Sequence, residues 1–156
     1  MKVLDGLRVL AWRGAADSPL ARFLHDLGAE LDRCDTTPDM ARVAAADLLI
    51  EQVGLARIEE IGLTRRDIEA ANPRLIHVSV TTFGSSGARA RWRGSELVAS
   101  ATSGILRLVG DTDRPPVKEA LDACGFHADM VAACGALAAL HERLETGKGQ
   151  HIETLV

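Results

Sequence analysis

The sequence predicts an α/β fold, a doubly wound and mainly parallel sheet with helices on both faces. Two patterns carry that expectation. Short apolar or β-branched segments alternate along the chain with segments of helical periodicity. The intervening segments are also about long enough for the crossover that parallel strands require. With 156 residues, 47% of them hydrophobic and 26% charged, the chain has the apolar content for one compact core and too few residues for two typical domains.

Taken in order, "LRVLAW" (Leu7 to Trp12) reads as a buried strand, followed by the small residues Gly14, Ala15 and Ala16. A helix follows in "DSPLARFLHDLGAE": Asp17 or Ser18 caps it and Pro19 suits its first turn. Leu20, Phe23, Leu24 and Leu27 form its apolar stripe, and Gly28 ends it. "AELDRC" is a second strand with a weak pattern, and Thr37-Pro38 opens a short helix through Ala46. "DLLIEQV" (Asp47 to Val53) reads as the third strand. Two short helices follow, one near Arg57 to Ile61 and one from Thr64 to Ala71, where Asp67 is spaced for a capping box. "RLIHVSVTTF" (Arg74 to Phe83), rich in β-branched residues, is the strongest strand. Ser95 to Leu108 reads as a helix, "GDTDRPP" as a loop, and Phe126 to Leu144 as a long alanine-rich helix. In that helix Met130, Cys134, Leu137, His141 and Leu144 share a stripe, and the remaining small residues predict close packing. Gly147 and Gly149 close the helix and turn the chain into a last strand from His151.

Composition sets aside several functions. Aromatic residues make up 3% of the chain and Tyr is absent, so a base-stacking surface is not expected. A net charge of −4 argues against a general nucleic-acid binder. The apolar runs fall short of the length a membrane span needs, and "MKVLDGLRVLAW" lacks the pattern of a signal peptide. Cys34, Cys124 and Cys134 fit neither a zinc nor a disulfide spacing. The expectation is therefore a cytoplasmic protein with neither nucleic acid nor membrane as a partner.

The most suggestive chemistry lies in "TTFGSSGARARWRG", which follows the carboxyl end of a strand, where open α/β sheets bind ligands. Gly84 and Gly87 free backbone amides, Ser85 and Ser86 add hydroxyls, and Arg89, Arg91 and Arg93 add charge, a set suited to a phosphate. The same residues also describe a solvated surface loop. Cys124 and His127 stand one helical turn apart, as a thiol and its base would, but no third group accompanies them. His127 and Asp129 supply two metal donors, too few for a site. Glu51 and Glu153 fall in strands, where burial raises a carboxylate's pKa, and a paired-carboxylate arrangement stays open.

Five stretches in this order give the chain a wider likeness: "LDGLRVLAW", "SPLARFLHDLGAE", "ADLLIEQ…EEIGLTRRDIEAANPRLIHVSVTTFG", "GSELVASATSGILRLVGDTDRPPVK" and "AALHERLETGKGQHIETLV". The chain resembles the amino-terminal half of class III CoA-transferases, the family that also contains α-methylacyl-CoA racemase. The resemblance implies a single Rossmann-like domain over residues 1–156, and CoA transfer between an acyl-CoA and a carboxylic acid. It implies a catalytic aspartate two positions after Val156, and hence no catalytic residue within these 156. Phe83, Gly84, Arg89, Arg91 and Lys118 are the residues expected at the CoA site. The implied ligand is CoA or acyl-CoA, with no tightly bound cofactor and no metal. A second domain or self-association is the expected partnership.

The family pattern is also altered. Residues 36–45 replace a longer segment that carries basic groups in the family. The family's Glu-Asn-Phe-Arg-Pro-Gly stretch reads "EQVGLA", with Gln52 and Val53 where Asn and Phe line the CoA site. Glu60 stands where an arginine usually approaches the CoA phosphates, and Ser95 stands where the racemases carry a histidine. These changes lead to the expectation of a lobe inactive on its own. The alternative is a non-catalytic interaction module within a tandem or oligomeric relative.

Overall fold

The computed structural model describes residues 2–156, and the side chains of all of these but 55–57. Five strands form one sheet: β1 (Arg8–Trp12), β2 (Glu30–Cys34), β3 (Leu48–Glu51), β4 (Ile76–Thr81) and β5 (Gln150–Leu155). Their order is β2-β1-β3-β4-β5 and every pairing is parallel. Six α-helices connect them: α1 (Pro19–Asp26), α2 (Met40–Ala45), α3 (Leu55–Glu60), α4 (Arg65–Ala71), α5 (Glu96–Thr102) and α6 (Ala123–Thr146). The doubly wound α/β expectation therefore holds.

Alternation along each strand divides the core between the two faces. Val9, Leu48, Ile50, Ile76 and Val78 meet Leu20, Ala21 and Leu24 of α1 and the alanines of α6. Leu10, Trp12 and Leu49 meet Val43 of α2, Ile58 of α3 and Ile68 of α4 on the other face. The central strands β1 and β3 are apolar on both faces, so a clean polar–apolar alternation is absent from their sequence. Full burial of each such Leu, Ile or Val contributes about 1.5–3 kcal/mol.

Local signals explain most helix starts. Ser18, rather than Asp17, accepts from the Ala21 amide and caps α1, with Pro19 beside it. In α1, Leu20 and Leu24 are buried while Phe23 is 38% exposed, so the stripe is narrower than its spacing predicts. Asp39, not Thr37-Pro38, caps α2. Thr64 and Asp67 complete the expected capping box on α4. The helix expected from Ser95 to Leu108 stops at Thr102, because Gly104 adopts φ +85° and a single 3-10 turn (Ile105–Arg107) follows.

The long helix α6 is the main departure in packing. By length and composition it is apolar enough to cross a membrane. Its sheet-facing side, however, is Ala128, Ala132, Ala133, Ala136 and Ala139, while Leu144 is 82% exposed and Cys134 and His141 also face solvent. Small residues let the helix lie close to the sheet: a Cβ on Gly135 would come within 3.1 Å of Ile152.

At the amino edge of the sheet, Arg143 of α6 donates to the Asp47 carboxylate and to the carbonyls of Asp47 and Arg74. Asp47 also accepts from the Arg8 amide, and the Gly149 amide donates to Pro73 O. Gly149 has no room for a side chain, since a Cβ there would lie 2.0 Å from Leu75 O. Gly149→Ala is expected to lower stability by about 3 kcal/mol, read as a shift of the urea midpoint at unchanged m-value.

Candidate functional site

The strand order places a topological switch between β1 and β3, where the chain changes its direction of travel across the sheet. Loops leaving these two strands diverge to opposite faces and leave a crevice at their carboxyl ends. A cleft of about 560 Å³ opens there, a volume within the range of small-ligand sites. Trp12 at the end of β1, Arg13 and Gly14 after it, and Gln52, Val53 and Gly54 after β3 line it. The loop after β4 forms the remaining wall, through Thr81, Thr82, Phe83, Gly84, Trp92 and Arg93.

A second cleft of about 550 Å³ shares Gly14, Gln52, Thr81, Thr82 and Gly94 with the first and continues toward α1, α5 and α6. Its lining includes Asp17, Ser18, Ser95, Glu96, Asp122, Asp129 and Val156. The two clefts differ in charge: Arg13 and Arg93 stand in the first and four carboxylates line the second. Most of those carboxylates are committed. Glu96 accepts from the Cys124 and Gly125 amides at 2.7 and 3.1 Å and stabilises the amino end of α6. Asp17 pairs with Arg33, and Asp122 with Lys118.

The wall of the first cleft rests on a buried carboxylate. Glu51, fully enclosed at the end of β3, accepts from the Val53 and Gly54 amides at 2.6 Å each. Gly54 holds φ +83°, which bends the chain so that both amides turn back onto Glu51. On the other side Nε2 of His77 stands 3.7 Å from Oε1, an electrostatic contact longer than a hydrogen bond. Burial pushes the Glu51 carboxyl up, but His77, the Ser79 hydroxyl and the Gly54 amide together hold it below the usual glutamate value. The sequence expectation of a raised value is thereby corrected. Glu51 and Glu153 are not a pair either. Ser79 of β4 lies in register between them, leaving the two strands about 10 Å apart.

His77 and His151 were not singled out by the sequence. They face one another across β4 and β5 with ring centroids 4.8 Å apart, and Ser79 Oγ shares a hydrogen bond of 3.0 Å with Nε2 of His151. Desolvation, then repulsion from His77 and Arg65, lowers the His151 pKa to about 4. Strand register alone identifies this cluster, since the residues are far apart in sequence.

The sequence-predicted residues are only partly brought together. Phe83 and Gly84 line the first cleft. Arg91 sits outside it in an ion pair with Glu60 at 3.3 Å, and Arg89 lies over the Trp92 ring at 5.4 Å. Lys118 lines neither cleft and is held by Asp122, a residue of the second cleft, and by the Glu119 and Leu121 carbonyls. Half of the anion cradle expected of "GSSG" turns inward, the Gly84 amide donating to Thr81 and Ser85 Oγ to Glu153, while Ser86 and Gly87 are exposed. Arg13 and Arg93 supply cationic charge to the lining instead, and Arg13 alone among the described non-glycine residues has positive φ, at +54°. Cys124 lies buried against the hydroxyls of Ser100 and Ser103, while His127 is exposed beside Phe126. Among the described residues no group of three or more metal donors forms.

The model of CoA-transferase family III matches residues 38–156. The chain belongs to that family. Its relatives include the succinyl-CoA:(R)-benzylsuccinate CoA-transferase subunit BbsE of Thauera aromatica, 34% identical over 83% of this chain and 30% of that protein. The acetyl-CoA:oxalate CoA-transferase of Acetobacter aceti is 32% identical over 78% of this chain and 32% of that protein. Among solved structures, a CAIB/BAIF family protein from Brucella suis superposes with a TM-score of 0.87 at 26% identity, covering 99% of this chain and 53% of that one. The chain thus spans about a third of the length of these relatives and about half of that structure.

The histidine cluster makes stability pH-dependent. A histidine whose folded value lies below its unfolded value binds fewer protons when folded, so stability rises with pH between about 4 and 6.5 and is lost on acidification through that window. Glu51, held below its ordinary value, adds a loss of the same sign at more acid pH. Urea midpoints from about pH 7 to about pH 4.5 are expected to fall for the native chain and to fall less for His151→Gln.

Proposed function

We propose that this chain is the CoA-binding lobe of a family III CoA-transferase. The nucleotide occupies the arginine-bearing cleft, and the acyl end lies toward the acid-lined one. The observation that carries this reading is the charge division along one continuous crevice at the β1/β3 switch point. A diphosphate is favoured beside Arg13 and Arg93 and repelled by the carboxylates of the second cleft. Phe83 and Trp92, packed edge to face at 5.9 Å, offer an apolar surface to the same ligand. Arg89 and Arg91 stand on the rim, and the Glu60–Arg91 pair neutralises part of that charge. Lys118 meets this arrangement only through its ion pair with Asp122 of the second cleft.

The reaction class implied by the resemblance forms an acyl adduct on a carboxylate, and the carboxylates described above are either hydrogen-bonded elsewhere or buried. Glu51 is enclosed and doubly hydrogen-bonded, Glu96 caps α6, and Glu153 accepts from Ser85. Asp129 is 2% exposed. The isolated chain therefore binds CoA without turning it over. Titration calorimetry with CoA tests the binding half: Arg93→Ala is expected to weaken CoA by about 10-fold or more, the worth of a charge-assisted contact. Undetectable binding by the native chain at millimolar CoA, or turnover of an acyl-CoA with a carboxylate acceptor, contradicts the reading.

A second reading, an interaction module, is favoured by five well-exposed apolar side chains between α5 and the first half of α6. Leu97, Leu108, Leu121, Phe126 and Val131, on α5, α6 and the segment between them, are between 50% and 84% exposed. Sedimentation tests it. Self-association of the native chain that is lost in Phe126→Ser/Val131→Ser supports this reading, and monomers throughout oppose it.

A further inference from the structure

A cavity of about 340 Å³ lies apart from the crevice, between α4, the amino-terminal ends of β4 and β5, and the turn that joins α6 to β5. It shares no lining residue with either cleft. His77 stands four residues before Thr81 on β4, so roughly 13 Å of strand separates the cavity from the crevice. The volume is at the lower end of small-ligand sites. Its charge is cationic, with Arg65 and Lys148 in the lining against the carboxylate of Glu69, in a chain whose net charge is −4. Arg65 donates Nε to Glu69 at 2.6 Å and keeps its two terminal nitrogens. Lys148 forms no ion pair among the described residues.

The backbone on either side fixes where Lys148 stands. Gly147 turns at φ +69° and its carbonyl accepts from Arg74 Nη1, while the Gly149 amide donates to Pro73 O. The cavity also contains buried apolar residues, Ile68 and Leu75, beside which a charge interaction is stronger than in water. His77, 4% exposed, and the half-buried His151 complete the lining with ring centroids 4.8 Å apart. Both rings meet Ser79 Oγ through Nε2, at 3.5 Å and 3.0 Å, so Nδ1 is the nitrogen each has left. Where Nε2 accepts the serine proton, Nδ1 is a donor. The groups facing His151 are His77 on β4, Glu51 on β3, Arg65 and Glu69 on α4, Lys148 in the turn and Glu153 on its own strand. Desolvation, His77 and Arg65 outweigh the carboxylates, and the ring stays neutral at neutral pH. Two cations beside two neutral imidazoles suit an anion and repel a metal ion.

We propose that this cavity binds a small phosphate-like dianion, held by the charges of Lys148 and Arg65 and by the imidazole of His151. The site is independent of the CoA reading, since the two share no residue. An anion there offsets the repulsion from Arg65 and His77 and favours the imidazolium of His151. Binding therefore takes up a proton and tightens as pH falls.

Calorimetry on the 156-residue chain tests it. Inorganic phosphate is expected to bind with a dissociation constant of about 1 mM at neutral pH. Lys148→Ala and Arg65→Ala, both at exposed positions, are each expected to weaken it about 10-fold, as for a lost charge-assisted contact, with CoA affinity unchanged in Lys148→Ala. Sulfate, whose own charge is constant over this range, is expected to bind about 3-fold more tightly at about pH 5.5 than at about pH 7.5. His151→Gln keeps a donor but cannot take up the proton, and is expected to abolish that gain. Tighter binding of glycerol phosphate than of inorganic phosphate supports a phosphate ester as the occupant, and the reverse supports a free oxyanion. Absence of saturable binding at about 10 mM phosphate overturns the proposal. So does an unchanged phosphate affinity in Lys148→Ala, which would put the anion elsewhere, or a pH dependence for sulfate that survives in His151→Gln.

Discussion

A carboxylate with no exposed surface ends the central strand, and the geometry of the cleft follows from keeping it satisfied. Glu51 is stable there because two backbone amides fold back onto one oxygen and a histidine and a serine from the next strand flank it. An uncompensated charge at that depth would cost several kcal/mol. Meeting that requirement forces the tight bend at Gly54, and the bend sets where Gln52 and Val53 emerge at the mouth of the crevice. The cleft wall formed by Gln52 and Val53 is thus a by-product of solving a burial problem one residue earlier.

The division of charge along the crevice has an equally local origin. The cationic half is built from a strained residue, Arg13, directly after β1, and from Arg93 at the end of the β4 loop. The acidic half is dominated by groups already used to hold helices in place, above all Glu96 on the first amides of α6. Electrostatic orientation of a ligand therefore requires few residues devoted to binding alone. The loop rich in glycine and arginine contributes to the wall of the cleft, and two of its groups, the Gly84 amide and the Ser85 hydroxyl, are spent on Thr81 and Glu153.

Membership of CoA-transferase family III and the altered cleft residues are compatible once framework and lining are separated. The parallel sheet and the close approach of α6 depend on apolar and small residues inside the fold. Gln52, Val53 and Glu60 lie at or near the crevice mouth, where substitution leaves the core untouched. Asp129 crosses that separation, since it belongs to the packing face of α6 and to the floor of the acidic cleft at once.

Much of the fold was legible in the sequence. The strands, the capping box of Thr64 and Asp67, the Ser18 cap and the glycine end of α6 are local events, and a few neighbouring residues determine them. The resemblance, likewise, rests on residues that shape strands and helix ends. The site was less legible. Glu51, Ser79, His77 and His151 meet through strand register, the joined clefts through strand order, and Asp129 reaches the lining of the second cleft because α6 packs its alanine face on the sheet. By itself the sequence determined which segments fold and which faces are apolar, because those follow from short-range sterics and periodicity. Only the tertiary structure decided which charged groups stand free and which are consumed, because that depends on partners brought together from strands and helices distant along the chain.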